Sequence, residues 1–170
     1  MDKNKEQYFE CATKKLIAQL DSMGLDKTTR MQAKNLVLLF RDSFKLDAVK
    51  YATFAHTTGD EFKLFTYDSD GFCKAASCSF IGMMNNPKEW RLMYINEVWA
   101  YGPHFFVQHI PSGQAFDLTY DQYEHDGISV PYYIGRPIKM NGDAKDTAKR
   151  FLQSAGIDFV PFAKFRNIKE

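Results

Sequence analysis

The chain has 170 residues, enough for one domain with a genuine hydrophobic core. Its 45% hydrophobic and 15% aromatic content excludes a disordered polymer, and 22 basic against 21 acidic residues leave a formal charge of +1. That balance provides no broad electrostatic pull toward nucleic acid or an anionic membrane.

The opening segment, MDKNKEQYFE, holds no apolar signal core. No stretch approaches the ~20 apolar residues of a membrane span, so a cytoplasmic location is expected. In residues 5 to 23, Phe9, Ala12, Leu16, Leu20 and Met23 recur at helical spacing, and Gly24 supplies a stop. Asp26 then caps a second helix over about 27 to 44, whose apolar set is Met31, Leu36, Val37, Leu39, Phe40 and Phe44. Lys27, Arg30, Lys34 and Arg41 are expected on its solvated face. Together the two segments predict a helical hairpin.

The character changes after residue 50. EFKLFTY, within 51 to 67, alternates like a short strand or an extended approach to the DSDG turn. Asp70 and Gly71 punctuate it, and Phe72, Ala76, Phe80 and Met83 predict a helix that Asn85, Asn86 and Pro87 end. RLMYINEVWA and HFFVQHI read as strands, with GQAFDLT returning after a Pro-Ser-Gly turn. Pro131 and Pro137 make SVPYYIGRPIKM a loop or edge strand. A last helix runs from Asp143, as cap, to Ala155, with Gly156 closing it. Helices followed by an antiparallel meander predict an α+β fold. The expected organisation is one domain over 1–170: a helical hairpin at 1–50, a core at 51–142, and a C-terminal helix and tail at 143–170.

The chemistry-bearing residues gather in the core. Cys11, Cys73 and Cys78 are an odd number without a CxxC pair, so a disulfide framework is not expected. With Asp70 as N-cap, Cys73 falls in the first helical turn, where unpaired N–H groups and the helix dipole favour a thiolate. Cys78, deeper in the helix, reads as a small buried hydrophobe. His104, at the start of a strand after Gly102-Pro103, can act as base toward such a thiol. His109, an odd number of residues along, faces the other way. Asp117 comes next, on the returning arm, and would orient the imidazole. The register is open, however. A two-residue turn at Ser112 and Gly113 sets Asp117 opposite Gln108, about 13 Å along the strand from His104. Direct pairing needs a turn nearer Ile110 and Pro111, or a bulge at Gly113.

GFCKAAS and then HFFVQHIPSGQAFDLTYDQY resemble the Cys, His, Asp order of papain-like and transglutaminase-like cysteine hydrolases. The likeness is to small bacterial and phage proteins with a Gly-x-Cys helix start, a His-aromatic strand and an Asp-Leu-Thr-x-x-Gln-aromatic segment, and it covers roughly residues 67 to 140. It implies a helix headed by the nucleophile Cys73, packed on an antiparallel sheet that bears the base His104 and the orienting Asp117. No glutamine stands shortly before the cysteine, where papain-like enzymes place an oxyanion donor. Tyr67 lies near that position, and its hydroxyl is the expected substitute beside the Cys73 N–H.

Other patterns carry less. DSDG has Thr66 and Ser77 where a calcium loop needs acids, and Glu124, His125 and Asp126 are too close together for a zinc site. No metal and no cofactor are expected. The function expected is a cysteine-dependent hydrolase or acyl-transferase on an amide or acyl bond: peptidase, amidase, deamidase or transglutaminase-like, with a protein or peptide-like substrate and no nucleic-acid or membrane partner. The alternative is a non-catalytic protein-binding or regulatory module on the same fold.

Overall fold

The computed structural model describes residues 3–58, with backbone alone at 55–58, and residues 66–157. Within them the chain is α+β, with six helices and one four-stranded antiparallel sheet. Helix α1 (Lys3–Ser22) turns at Gly24, whose φ of +70° suits a residue without Cβ, into α2 (Lys27–Phe44). Asp26 caps α2 as expected, accepting the Thr29 N–H at 3.0 Å. No helix among the described residues is long and apolar enough to cross a membrane.

A third helix, α3 (Asp47–Thr58), occupies ground where the sequence shows only a change of character. It buries Val49, Thr53 and Phe54, and the Thr53 hydroxyl bonds back to the Val49 carbonyl at 2.7 Å. β-Branched and aromatic residues hide such a helix from propensity, while contact with α6 and α2 holds it in place. Most of EFKLFTY lies outside the described residues, and Thr66 and Tyr67, at its end, are not in a strand.

Helix α4 (Cys73–Met83) is the centre of the fold. It packs against the sheet and also against α2 and α6, so it is apolar nearly all round. Phe72, Ala76, Cys78 and Phe80 are fully buried there. The strands are β1 (Trp90–Ile95), β2 (His104–His109), β3 (Ala115–Phe116) and β4 (Arg136–Pro137), in the order β3-β2-β1-β4. β4 is a two-residue edge strand, which is where Pro137 can be tolerated. Asp121–Glu124 form a single helical turn, α5, too short to leave a periodic mark in the sequence.

The final helix, α6 (Gly142–Ser154), corrects one cap. Asn141, not Asp143, accepts the Ala144 N–H, at 2.8 Å. Asp143 sits in the first turn instead, where its charge suits the helix dipole and its carboxylate meets Lys74.

Candidate active site

Asp70 does not cap α4. Gly71, at φ +78°, turns the chain between them, and Phe72 takes the N-cap position with no side-chain bond. The Asp70 carboxylate points back to accept the N–H groups of Thr66 and Tyr67, each at 3.0 Å. Burial pushes its carboxyl above the ordinary range despite those bonds. Cys73 nevertheless opens α4, so its backbone N–H belongs to a first turn without intrahelical partners.

The hairpin register falls between the two arrangements the sequence allows. Val107 pairs with Phe116 and Gln108 with Ala115, across a connection that Gly113 closes at φ +70° by donating to the His109 carbonyl. Continued one step, this register sets Asp117 beside Phe106, on the same sheet face as His104 and diagonal to it. The chain leaves the strand there, because the Thr119 N–H and hydroxyl both bond Asp117 Oδ1, at 3.0 and 3.2 Å. Freed from the ladder, Asp117 Oδ2 accepts the His104 Nε2–H at 2.6 Å. The Tyr132 hydroxyl donates to the same oxygen at 3.0 Å. Four donors therefore fix the acid.

His104 is 0% exposed. Burial alone would strip its second proton, but the Asp117 charge and hydrogen bond, and then the Cys73 side chain, outweigh burial and raise it to about 10. A carboxylate only accepts, so Nε2 carries hydrogen and Nδ1 is the ring nitrogen left for other partners. The Tyr123 hydroxyl lies 3.2 Å from Nδ1, its ring edge-on to the imidazole. Cys73 comes to the same imidazole from the head of α4, close enough to help hold its charge.

A cleft of about 650 Å³ opens over this cluster, lined by Cys73, Lys74, Tyr94, Tyr101, Phe105 and Tyr123 among others. His104 lies behind them. Tyr67 is not part of that lining: its ring lies tilted against His125, with centroids 3.7 Å apart, and packs against Tyr8. Cys78 is fully buried inside α4 and burial pushes its thiol up to about 12, whereas Cys11 is exposed and remote in sequence from the cluster. His109 ends β2, bonded through Nδ1 to the Ser112 hydroxyl at 2.9 Å. Glu124, His125 and Asp126 are committed to Lys15, the Asp121 carbonyl and Tyr101 respectively.

Three contributors are not evident from the sequence pattern. Arg41, expected on a solvated face, is 1% exposed and grips Asp121 at the head of α5, Nη1 to Oδ1 at 2.9 Å and Nη2 to Oδ2 at 2.8 Å. Its spacing from Val37 and Phe44 would have placed it on the buried stripe. Gln122 accepts the Gly71 N–H at 3.3 Å and donates to the Thr119 hydroxyl at 2.9 Å. The acid's segment is thereby tied to the turn that precedes Cys73. Tyr132 has no signal, since a tyrosine fifteen residues beyond an aspartate carries no mark of contact.

Comparison with known proteins returns no match: no family model, no curated protein and no solved structure is similar to the chain.

Proposed function

We propose that the chain is a cysteine-dependent hydrolase or acyl-transferase of papain-like or transglutaminase-like design, acting on an amide or related acyl bond of a protein or peptide-like substrate. The carrying observation is that Asp117 occupies Nε2 of a buried imidazole whose proton affinity the neighbouring Cys73 side chain also raises. This is the division of labour that a nucleophile, a base and an orienting acid require.

The thiol proton of Cys73 already resides on His104 Nδ1, and Sγ attacks the carbonyl carbon as the thiolate half of that pair. Asp117 holds the ring and stabilises the imidazolium. The Cys73 backbone N–H supports the oxygen that gains charge. The C–N bond then breaks to leave a thioester, which water resolves in hydrolysis or an amine in acyl transfer. No step needs a metal or a cofactor.

Iodoacetamide labelling at neutral pH, read by peptide mass spectrometry, tests the reading. Cys73 is expected to alkylate at least about tenfold faster than Cys78, and His104→Ala to abolish that advantage. Equal sluggishness of all three thiols, with no response to His104→Ala, would leave a binding module as the better account.

A further inference from the structure

The proposed chemistry leaves one difficulty. His104 must return its proton to the leaving group, yet its side chain is wholly enclosed and the cleft is lined by other residues. Only Nδ1 is available, since Nε2 is bound to Asp117 at 2.6 Å. The group on Nδ1 that also reaches the cleft, besides the nucleophile itself, is Tyr123.

We propose that the Tyr123 hydroxyl is a proton relay, passing the proton from buried His104 to the leaving group in the cleft. The inference rests on the Cys73–His104 reading above. With the imidazole charged, both ring N–H groups donate: Nε2–H to Asp117, and Nδ1–H to the Tyr123 oxygen. The phenol's own O–H is then free to turn toward the substrate. As the C–N or C–O bond of the tetrahedral intermediate breaks, the leaving atom takes the Tyr123 hydrogen and the Tyr123 oxygen takes the one on Nδ1. The products are a thioester on Cys73, a protonated leaving group, an intact phenol and a neutral imidazole.

The surroundings suit a phenol that hands on a proton without losing one. Burial, with the nearby Cys73, Asp117 and Asp70 charges, pushes Tyr123 well above the ordinary tyrosine range. The side chain is 3% exposed, and its ring is held edge-on between Tyr101 and His104. α5 is anchored through Asp121 to Arg41, so the hydroxyl is positioned from the scaffold rather than from a loose loop.

The test is acylation of Cys73 by aryl acetates whose leaving phenols range from p-nitrophenol, which departs unaided, to phenol, which needs a proton. It is run with enzyme in excess beside iodoacetamide alkylation, which has no carbonyl leaving group. Tyr123→Phe is expected to slow phenyl acetate about a hundredfold, the scale of general acid catalysis. p-Nitrophenyl acetate and iodoacetamide should stay within about threefold of wild type, since neither draws on that general acid. A uniform loss across the esters, or none, overturns the relay, the first indicating a donor to the oxyanion or a positioning role. Failure of the underlying reading looks different: His104→Ala would then leave iodoacetamide and p-nitrophenyl acetate unchanged. Should Tyr123→Phe not fold, the wild-type proton inventory with phenyl acetate in mixed light and heavy water carries the test. A relay moves two protons and predicts a curved inventory, and a linear one overturns it.

Discussion

Removing Arg41 should destabilise the protein as much as truncating a large side chain in the apolar core. All five guanidinium N–H groups are engaged: Nε to the Thr13 hydroxyl at 2.7 Å, Nη1 to Leu118 O and Asp121 Oδ1, and Nη2 to Phe9 O and Asp121 Oδ2. The cation also lies 3.9 Å from the Phe9 ring centre. Both charged partners are 1% exposed. In Arg41→Met the Asp121 carboxylate stays buried without its cation, and three further acceptors lose a donor. Breaking a buried pair from one side costs about 3–5 kcal/mol, against roughly 5–15 kcal/mol for a whole domain. At about 2 kcal/mol per molar urea, the midpoint should fall by about 1.5–2.5 M. In a thermal scan, a chain of this size should lose about 6–20 °C. The double variant Arg41→Met with Asp121→Leu removes both charges and should recover at least half of the loss, because paired charges replaced together by apolar groups leave nothing stranded. A cost under about 1 kcal/mol for Arg41→Met, or a double variant no more stable than the single one, would show that Asp121 is not stranded by the loss of its cation.

Two further outcomes concern the imidazole and its neighbours in the sheet. His104 holds its proton more tightly folded, at about 10, than its ordinary 6.5, so its contribution to stability is complete below about pH 6.5 and is lost as pH rises toward 10. Stability measured by denaturation between pH 7 and 10 should fall by up to about 1.4 kcal/mol per pH unit, and His104→Gln should flatten that decline; parallel slopes in the two proteins would remove the assignment. Gly135→Ala should cost about 1–3 kcal/mol by overpacking, since a Cβ there would meet Phe106 Cζ at 2.7 Å and the Tyr132 carbonyl at 3.1 Å. Its φ of −62° suits any residue, so the cost is steric alone, and a melting curve matching wild type would show that the ring simply moves aside.

What the sequence discloses depends on the range of the interaction involved. The α1–α2 hairpin is legible because its apolar positions recur within single helices and Asp26 caps within three residues. The β1–β2 pair is legible because strand-prone residues gather in two short uninterrupted runs, WRLMYI and HFFVQH. α3 fails that test: Val49, Thr53 and Phe54 are too few and too β-prone to announce a helix, which forms because α6 and α2 cover it. Asp70 misleads because capping depends on backbone direction, and Gly71 turns the backbone away. Asp117 stands out in the sequence by residue type and strand position, but its route to His104 is not deducible there. The route combines an intermediate hairpin register with a side chain that stops its own strand, and only the Thr119 part of that is local.

The geometry also gives the N-terminal hairpin a purpose that lies outside the Cys, His, Asp pattern. From the turn before Cys73, a continuous series of hydrogen bonds runs from Gly71 N–H to Gln122, from Gln122 to the Thr119 hydroxyl, from Thr119 to Asp117, and from Asp117 to His104. These links tie α4, headed by Cys73, to β2, which carries His104, through one segment, residues 117 to 123. That segment has only two residues of strand before it and a single helical turn at its end, too little regular structure to hold its own shape. Arg41 supplies the missing rigidity from α2 by fixing Asp121 and the Leu118 carbonyl, and α1 adds the Tyr8 hydroxyl on the Asp121 carbonyl at 3.3 Å. The hairpin therefore braces from outside a segment too short to brace itself, and it does so through a fully buried ion pair, Arg41 with Asp121.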